Sequence, residues 1–182
     1  MMVSELEVVA LALFAERGFS AVTVEEIAGA SGISARTFYR YFATKEDVLQ
    51  LRIDLRSSRL SAALAARPLV EPPLRSVRHA MEEAIAAEDE DLLRIWTTVV
   101  SATPSVLRAV VGGIQLKTHA VLAEFLGSRL GQAASALVPT TLAAAMGGVI
   151  QAVQTRWFLV GGDLATMVSE GLEVLEGAMG RP

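Results

Sequence analysis

Residues 27–45 read IAGASGISARTFYRYFATK. The pattern predicts two short helices joined by a tight turn. Gly32 ends the first, because glycine takes the left-handed conformation cheaply. Ser34 starts the second as an N-cap, its hydroxyl accepting a free backbone N–H. Ile33 ahead of that cap and Phe38 at the fourth helical position make the pair of a hydrophobic staple. Phe38 and Phe42 lie four apart and share an inner face. Arg36, Tyr39 and Arg40 therefore point away from any core.

Outward from this stretch the chain reads as helix throughout. Towards the N-terminus, Ser4-x-x-Glu7 predicts a capping box opening a helix to about Arg17, with Leu6, Val9, Ala10, Leu13 and Phe14 inward and Gly18 as its stop. Thr23-x-x-Glu26 predicts a second capping box. Towards the C-terminus, Thr44 with Asp47 opens a long helix to about Ala66, with Val48, Leu49, Leu51, Leu55 and Leu60 as its apolar positions. Pro68, Pro72 and Pro73 then mark a boundary. Further helices are expected over 74–87, 92–101, 106–130 and 142–160, with a last one capped by Asp163. Residues 131–139 read as a connection. The expectation is an all-α chain of about nine helices: a small helix-turn-helix domain over 1–48, a connecting helix over 44–67, and a helical body over 68–182.

Composition agrees. Of 182 residues 52 % are hydrophobic, too apolar for disorder, and 20 % are charged. The absence of cysteine removes disulfides, thiolate catalysis and Cys-based metal sites. Residues 130–155 carry no charge, yet Gln132, Ser135, Thr140, Thr141, Gln151 and Gln154 favour a buried helix over a membrane span. The start of the chain is acidic and lacks a basic secretory segment, which fits a cytoplasmic protein. His79 and His119 fall on different helices with no metal spacing, and Gly112-Gly113 with Lys117-Thr118 lacks the strand and the glycine of a phosphate loop. No catalytic residue, metal site or cofactor is expected. The acids of 88–91 read as a solvated helix start.

The net charge of −4 argues mildly against nucleic acid, but residues 34–45 hold Arg36, Arg40 and Lys45 and no acid. A glycine turn followed by a short helix with exposed Arg and Tyr is the pattern of a helix-turn-helix reader. Arg36 and Tyr39 would face base edges, Arg bonding bidentately to guanine. Thr37, Tyr41 and Lys45 would meet phosphates, with Ala35 and Arg40 on the same surface. Lys45 at a helix start, where the dipole disfavours a cation, fits a phosphate role. Thr23 and Ser34 serve as caps, as phosphate contacts, or as both. Tyr41 fits packing against the first helix as well.

Residues 11–49, LALFAERGFSAVTVEEIAGASGISARTFYRYFATKEDVL, resemble the DNA-binding domain of the TetR-family transcriptional regulators. The resemblance runs through Phe14, Gly18, Thr23, Ile27, Ala28, Ala30, Gly32, Ser34, Thr37, Phe38, Tyr39, Tyr41, Phe42, Lys45 and Leu49 at unbroken spacing. It implies a homodimer on a palindromic double-stranded DNA operator, most often a repressor released by a small molecule. The last two long helices would form the dimer bundle, with Ala143, Ala144, Gly147, Gly148, Gln151, Leu164, Val168, Leu172 and Leu175 at the interface. A ligand pocket would lie among the helices of 74–160, with Trp96, Thr97, Ser101, Gln115, His119, Gln154 and Arg156 as its polar or aromatic points. Apolar walls imply an apolar or amphipathic ligand. RTFYRYF is also similar to actinobacterial relatives that answer to acyl-CoA. Two features depart from the family. Arg36 stands where glycine is common, and only Met1 to Val3 precede Ser4, where many relatives carry a basic arm. The alternative reading is an all-α small-molecule-binding dimer that no longer reads DNA.

Overall fold

The computed structural model describes residues 3–179; the segment expected to lack a basic arm, Met1 and Met2, lies outside them. Among the described residues there are nine α-helices and no strand: α1 Val3–Arg17, α2 Val24–Ala30, α3 Ala35–Tyr41, α4 Glu46–Ala65, α5 Pro73–Ala86, α6 Glu90–Ala102, α7 Pro104–Leu130, α8 Leu137–Val160 and α9 Leu164–Met179. They form two compact units, Met1–Ile53 with Asp89–Val110, and Asp54–Glu88 with Val111–Pro182. The units are not consecutive stretches of chain. By contacts, α6 and the start of α7 group with the N-terminal helices.

In the first unit α1 packs on α2 and on α6. Leu6, Ala10, Leu11 and Phe14 of α1 are buried, as are Trp96, Val99 and Val100 of α6. The expected cap at Ser4 is overturned, since the helix already includes Val3. Glu7 turns inward instead, 2 % exposed, and its Oε1 lies 3.1 Å from Arg52 Nε of α4. The buried stripe of α4 is Val48, Leu49, Arg52, Ile53, Arg56, Leu60, Ala63 and Leu64. Leu51 and Leu55 fall off it, Leu55 being exposed. Two arginines thus occupy core positions that leucines were expected to fill. Trp96 is core too: its Nε1 donates to the Leu49 carbonyl at 3.1 Å.

In the second unit α9 packs against both α5 and α8. Gly171 allows the α8 contact, because a Cβ there would lie 2.7 Å from Val153 Cγ2 and 3.1 Å from Val149 Cγ1. Helix α8 begins five residues before the expected start, at Leu137 rather than Leu142. Pro139 is tolerated because the first helical turn has no intrahelical use for its missing N–H. The preceding turn folds back on α7: Gln132 N donates to Gly127 O at 2.9 Å, and a Cβ on Gly127 would lie 2.8 Å from Gln132 O. By length and composition α8 could cross a membrane; here Gln154 and Trp157 are buried and α9 covers one side.

Several expected interface residues are core within the single chain. Ala143, Leu164, Val168 and Leu172 are buried, in a unit where α9 packs on both α5 and α8. Gly147, Gln151 and Leu175 are half-buried, and Ala144 and Gly148 are exposed. The unpartnered surface of α8 is a stripe at helical spacing through Leu137, Thr141, Ala144, Gly148, Ala152 and Leu159.

The acid run of 88–91 divides. Asp89 caps α6, accepting from Leu92 N at 2.8 Å. Glu88 instead turns inward and pairs with Arg56. The proline-rich segment before α5 is organised by Glu71, whose carboxylate accepts both Arg67 Nε and Nη2 at 2.7 Å and Ser76 Oγ at 2.8 Å, with His79 Nδ1 at 2.9 Å. Arg67 foremost holds the Glu71 carboxyl at about 2, below its ordinary 4.5.

Candidate nucleic-acid interface

The local chemistry of residues 18–47 builds a rigid corner. Gly18, at φ +83, ends α1, its N–H donating to Phe14 O at 2.9 Å. A short 3-10 turn, Phe19–Ala21, leads to Thr23. Thr23 caps α2 in a full capping box: Glu26 N donates to Thr23 Oγ1 at 3.3 Å, and Thr23 N to Glu26 Oε2 at 2.8 Å. Arg17 adds a bond to Glu26 Oε1 at 2.7 Å. The Thr23 backbone N–H, and then Arg17, lower the Glu26 carboxyl from 4.5 to about 2.

At the other end of α2, Gly32 N donates to Gly29 O at 3.1 Å and Ile33 N to Ala28 O at 2.9 Å, with Gly32 at φ +68. This is the paired bonding of a Schellman turn, which a left-handed glycine permits. It reverses the chain into Ser34. Ser34 Oγ accepts from Thr37 N at 3.1 Å and lies 2.9 Å from Thr37 Oγ1. Phe38 and Phe42 are buried with ring centroids 5.4 Å apart. These anchors leave the rest of α3 outward.

Arg36, Thr37, Tyr39 and Arg40 line one hollow of about 370 Å³ on that outward face. Tyr39 is 52 % and Tyr41 42 % exposed. Ser34, Arg36 and Arg40 are exposed and Ala35 is half-buried. Arg40 Nη2 donates to Tyr41 Oη at 2.9 Å, and its guanidinium carbon lies 4.9 Å from the Tyr41 ring centroid. Tyr41 therefore packs against Arg40 at the surface. Thr23 is exposed at the start of α2. The residues expected to touch DNA thus share one unit, with one exception in orientation. Lys45 turns back: its Nζ donates to Phe19 O and to Val22 O, each at 2.8 Å, and sits 4.6 Å from the Phe19 ring centroid.

The arrangement can present a guanidinium, phenols and hydroxyls on a helix thin enough to enter a major groove. It offers no acid–base pair for catalysis.

The expected ligand residues are divided between the two units. Trp96, Thr97 and Ser101 belong to the first unit, and Gln115, His119, Gln154 and Arg156 to the second. Thr97 Oγ1 is bonded back to Leu93 O at 2.7 Å. Gln115 is exposed, His119 half-buried and Gln154 buried. Arg156 lines an open groove of about 380 Å³ between α8 and α9 with Val153, Met167 and Glu170.

Two charged pairs at Arg52 and Arg56 escaped sequence reading. The signal was there: both arginines lie at i and i+4 in step with Leu49, Ile53 and Leu60, which makes them core positions.

The lowered carboxyls define an acid dependence. A group whose pKa falls on folding contributes stability above its unfolded value and loses it as pH drops through the folded one. Glu26 and Glu71 therefore lose their contributions between pH 4.5 and about 2. Glu26 is more than a third exposed and so screened by solvent, and the expected effect is a slope and not a collapse. Glu26→Gln with Glu71→Gln should flatten unfolding free energy against pH across that window in urea titrations; an unaltered slope would assign the acid dependence elsewhere.

Comparison with known proteins places these features in context. Residues 8–51 match the family described as bacterial regulatory proteins, tetR family, and residues 71–180 match the MftR C-terminal domain. The HTH-type transcriptional regulator TcmR of Streptomyces glaucescens is 32 % identical over 117 residues, covering 64 % of this chain and 49 % of TcmR, so the chain spans about half of that relative. The putative mycofactocin biosynthesis transcriptional regulator MftR of Mycobacterium tuberculosis is 29 % identical over 167 residues, covering 82 % of this chain and 76 % of MftR. Among solved structures, the Thermus thermophilus repressor FadR, crystallised with lauroyl-CoA, shares the fold at a TM-score of 0.59 and 24 % identity, covering 100 % of this chain and 96 % of that one.

Proposed function

Since this chain belongs to the TetR family of bacterial transcriptional regulators, we propose that it acts as a homodimeric repressor that binds a palindromic operator and is released by a small apolar or amphipathic ligand. The observation that carries the reading is the outward face of α3. Arg36, Thr37, Tyr39 and Arg40 line one hollow, while Phe38 and Phe42 pin the helix from behind. Arg36 is the base reader, suited to guanine O6 and N7. Tyr39 reads beside it. Thr37, Tyr41, Ser34 and Thr23 meet phosphates and set register. This favours a DNA-reading protein over a dimer that has lost its operator, and a cytoplasmic location fits that reading.

The dimer forms through the exposed stripe of α8, joined by Val174 of α9. Leu137, Leu159 and Val174 are more than two-thirds exposed in the single chain. Ala144 and Gly148 between them let a second backbone approach closely. A two-fold interface pairs the same stripe with itself and sets the spacing of the two α3 helices.

The ligand class is supported by the lauroyl-CoA held in the FadR structure and by the apolar composition of the second unit. The residues that would contact such a ligand remain Gln115, His119, Gln154 and Arg156 of that unit.

The test uses DNA from upstream of the protein's own gene in fluorescence anisotropy, with sedimentation in parallel. Gly148→Glu is the informative variant, because a Cβ at Gly148 meets nothing within 4 Å in its own chain. It should yield a folded monomer that no longer shifts a two-half-site operator. A Gly148→Glu protein that still sediments as a dimer would move the interface off the α8 stripe. Lauroyl-CoA should lower operator affinity of the unmodified protein, and no change would exclude an acyl-CoA ligand.

A further inference from the structure

We infer that Lys45 is a positioning residue that braces the DNA-reading unit from behind, and that Arg40, held against Tyr41, supplies the phosphate charge in its place. The inference rests on the operator-binding reading for its Arg40 half only.

Lys45 sits one residue ahead of α4. Its ammonium has three hydrogens to give. Two go to the carbonyls of Phe19 and Val22 at 2.8 Å each, and the remaining side of the ammonium lies over the Phe19 ring, 4.6 Å from its centroid. The ring is fixed in turn, 4.8 Å from that of Phe14 in α1. The two carbonyls belong to the 3-10 turn and the residue before Thr23, the cap of α2. Lys45 therefore ties the start of α4 to the corner from which α2, and through the Schellman turn α3, is launched. The link closes over 26 and 23 residues of chain. A phosphate could take only the third hydrogen, at the expense of the ring contact, unless the carbonyl bonds that brace the corner were given up.

The charge that a phosphate needs is available elsewhere. Arg40 is exposed, and its guanidinium is fixed by the hydrogen bond to Tyr41 Oη at 2.9 Å and by its place over the Tyr41 ring. A guanidinium has five N–H donors in a planar fork, so one bond to the phenol leaves others for a phosphate. Arg40 and Tyr41 then act as one preassembled clamp.

The experiment compares the unmodified protein, Lys45→Met and Arg40→Gln. Thermal unfolding is followed by circular dichroism, and operator affinity by anisotropy from about 50 to 200 mM salt. Methionine keeps the length of the stem and removes the donors. Lys45→Met should lower Tm on the order of 5 °C, as two carbonyls lose a charged donor. Its affinity should fall by the same factor at every salt concentration, leaving the slope of log K against log salt intact. Arg40→Gln should leave Tm in place and make that slope shallower by about 2 for a dimer, one phosphate per copy. A Lys45→Met protein with unchanged Tm and a slope shallower by about 2 overturns the inference; one that cannot fold supports the brace. An Arg40→Gln slope equal to that of the unmodified protein overturns the clamp. If the unmodified protein binds no operator, the regulator reading falls together with the clamp, and the Tm of Lys45→Met still decides the brace.

Discussion

Glu7→Ala is expected to destabilise the protein by about 3–5 kcal/mol, measured by urea denaturation at neutral pH. Glu7 and Arg52 are both nearly inaccessible, at 2 % and 7 % of side-chain surface, and their charged atoms lie 3.1 Å apart. Burying either charge costs several kcal/mol, which the partner offsets. Removing the carboxylate leaves a guanidinium in the α1–α4 contact with its charge poorly balanced. The double replacement Glu7→Leu/Arg52→Met should recover most of the loss, because an apolar pair of similar volume needs no compensation. The comparison of single and double variants isolates the pair term. A loss below about 1 kcal/mol for Glu7→Ala would mean that water reaches the pair, as at an exposed salt bridge.

Arg36→Ala/Tyr39→Ala should lower operator affinity by a factor on the order of 100 or more without moving Tm. Each base-reading contact is worth about 1–3 kcal/mol, and about 1.4 kcal/mol is tenfold in binding. Both side chains are exposed, and the core of this unit runs through Phe38 and Phe42 on the opposite side of α3. Folding should therefore be indifferent to the change. Arg36→Ala alone should also relax preference at a single base pair per half-site, seen by titrating operators altered one position at a time. Full binding by the double variant would remove α3 as the reading helix. One variant lowers stability through a buried pair; the other lowers recognition through two exposed side chains, of which Tyr39 meets the core only by an edge contact with Phe38, ring centroids 5.8 Å apart.

The contrast between Glu7 and Arg36 also marks where local reading succeeds. Arg36 sits between a cap and a staple, both set by neighbours within four residues, so its outward direction follows from spacing. Thr23 with Glu26, Ser34, and Thr44 with Asp47 behave the same way: each pairing closes within three residues. Ser4 with Glu7 has the same spelling and a different outcome. There a partner 45 residues away, Arg52, competes for the carboxylate and wins. Leu51 and Leu55 were assigned inward on hydrophobicity, yet α4 turns Arg52 and Arg56 to the inside because two carboxylates wait there. Residues 131–139 read as a connection; 131–136 are one, while α8 already starts at Leu137, where a proline in the first turn gives up no intrahelical bond. Lys45 read as a phosphate contact because its two carbonyl acceptors lie more than twenty positions earlier in the chain.

By itself the sequence determined the all-α class, the helix-turn-helix with its caps and glycine turn, and the outward set Arg36, Thr37, Tyr39 and Arg40. These depend on bonds and periodicities spanning a few residues, which the order of amino acids specifies directly. The tertiary structure alone decided which charges are buried, which way Lys45 points, and which face of α8 the single chain leaves uncovered. Each depends on what a distant segment brings to the same place. A carboxylate or a carbonyl at that place redirects a cation whose own neighbours in sequence would have sent it to solvent or to DNA.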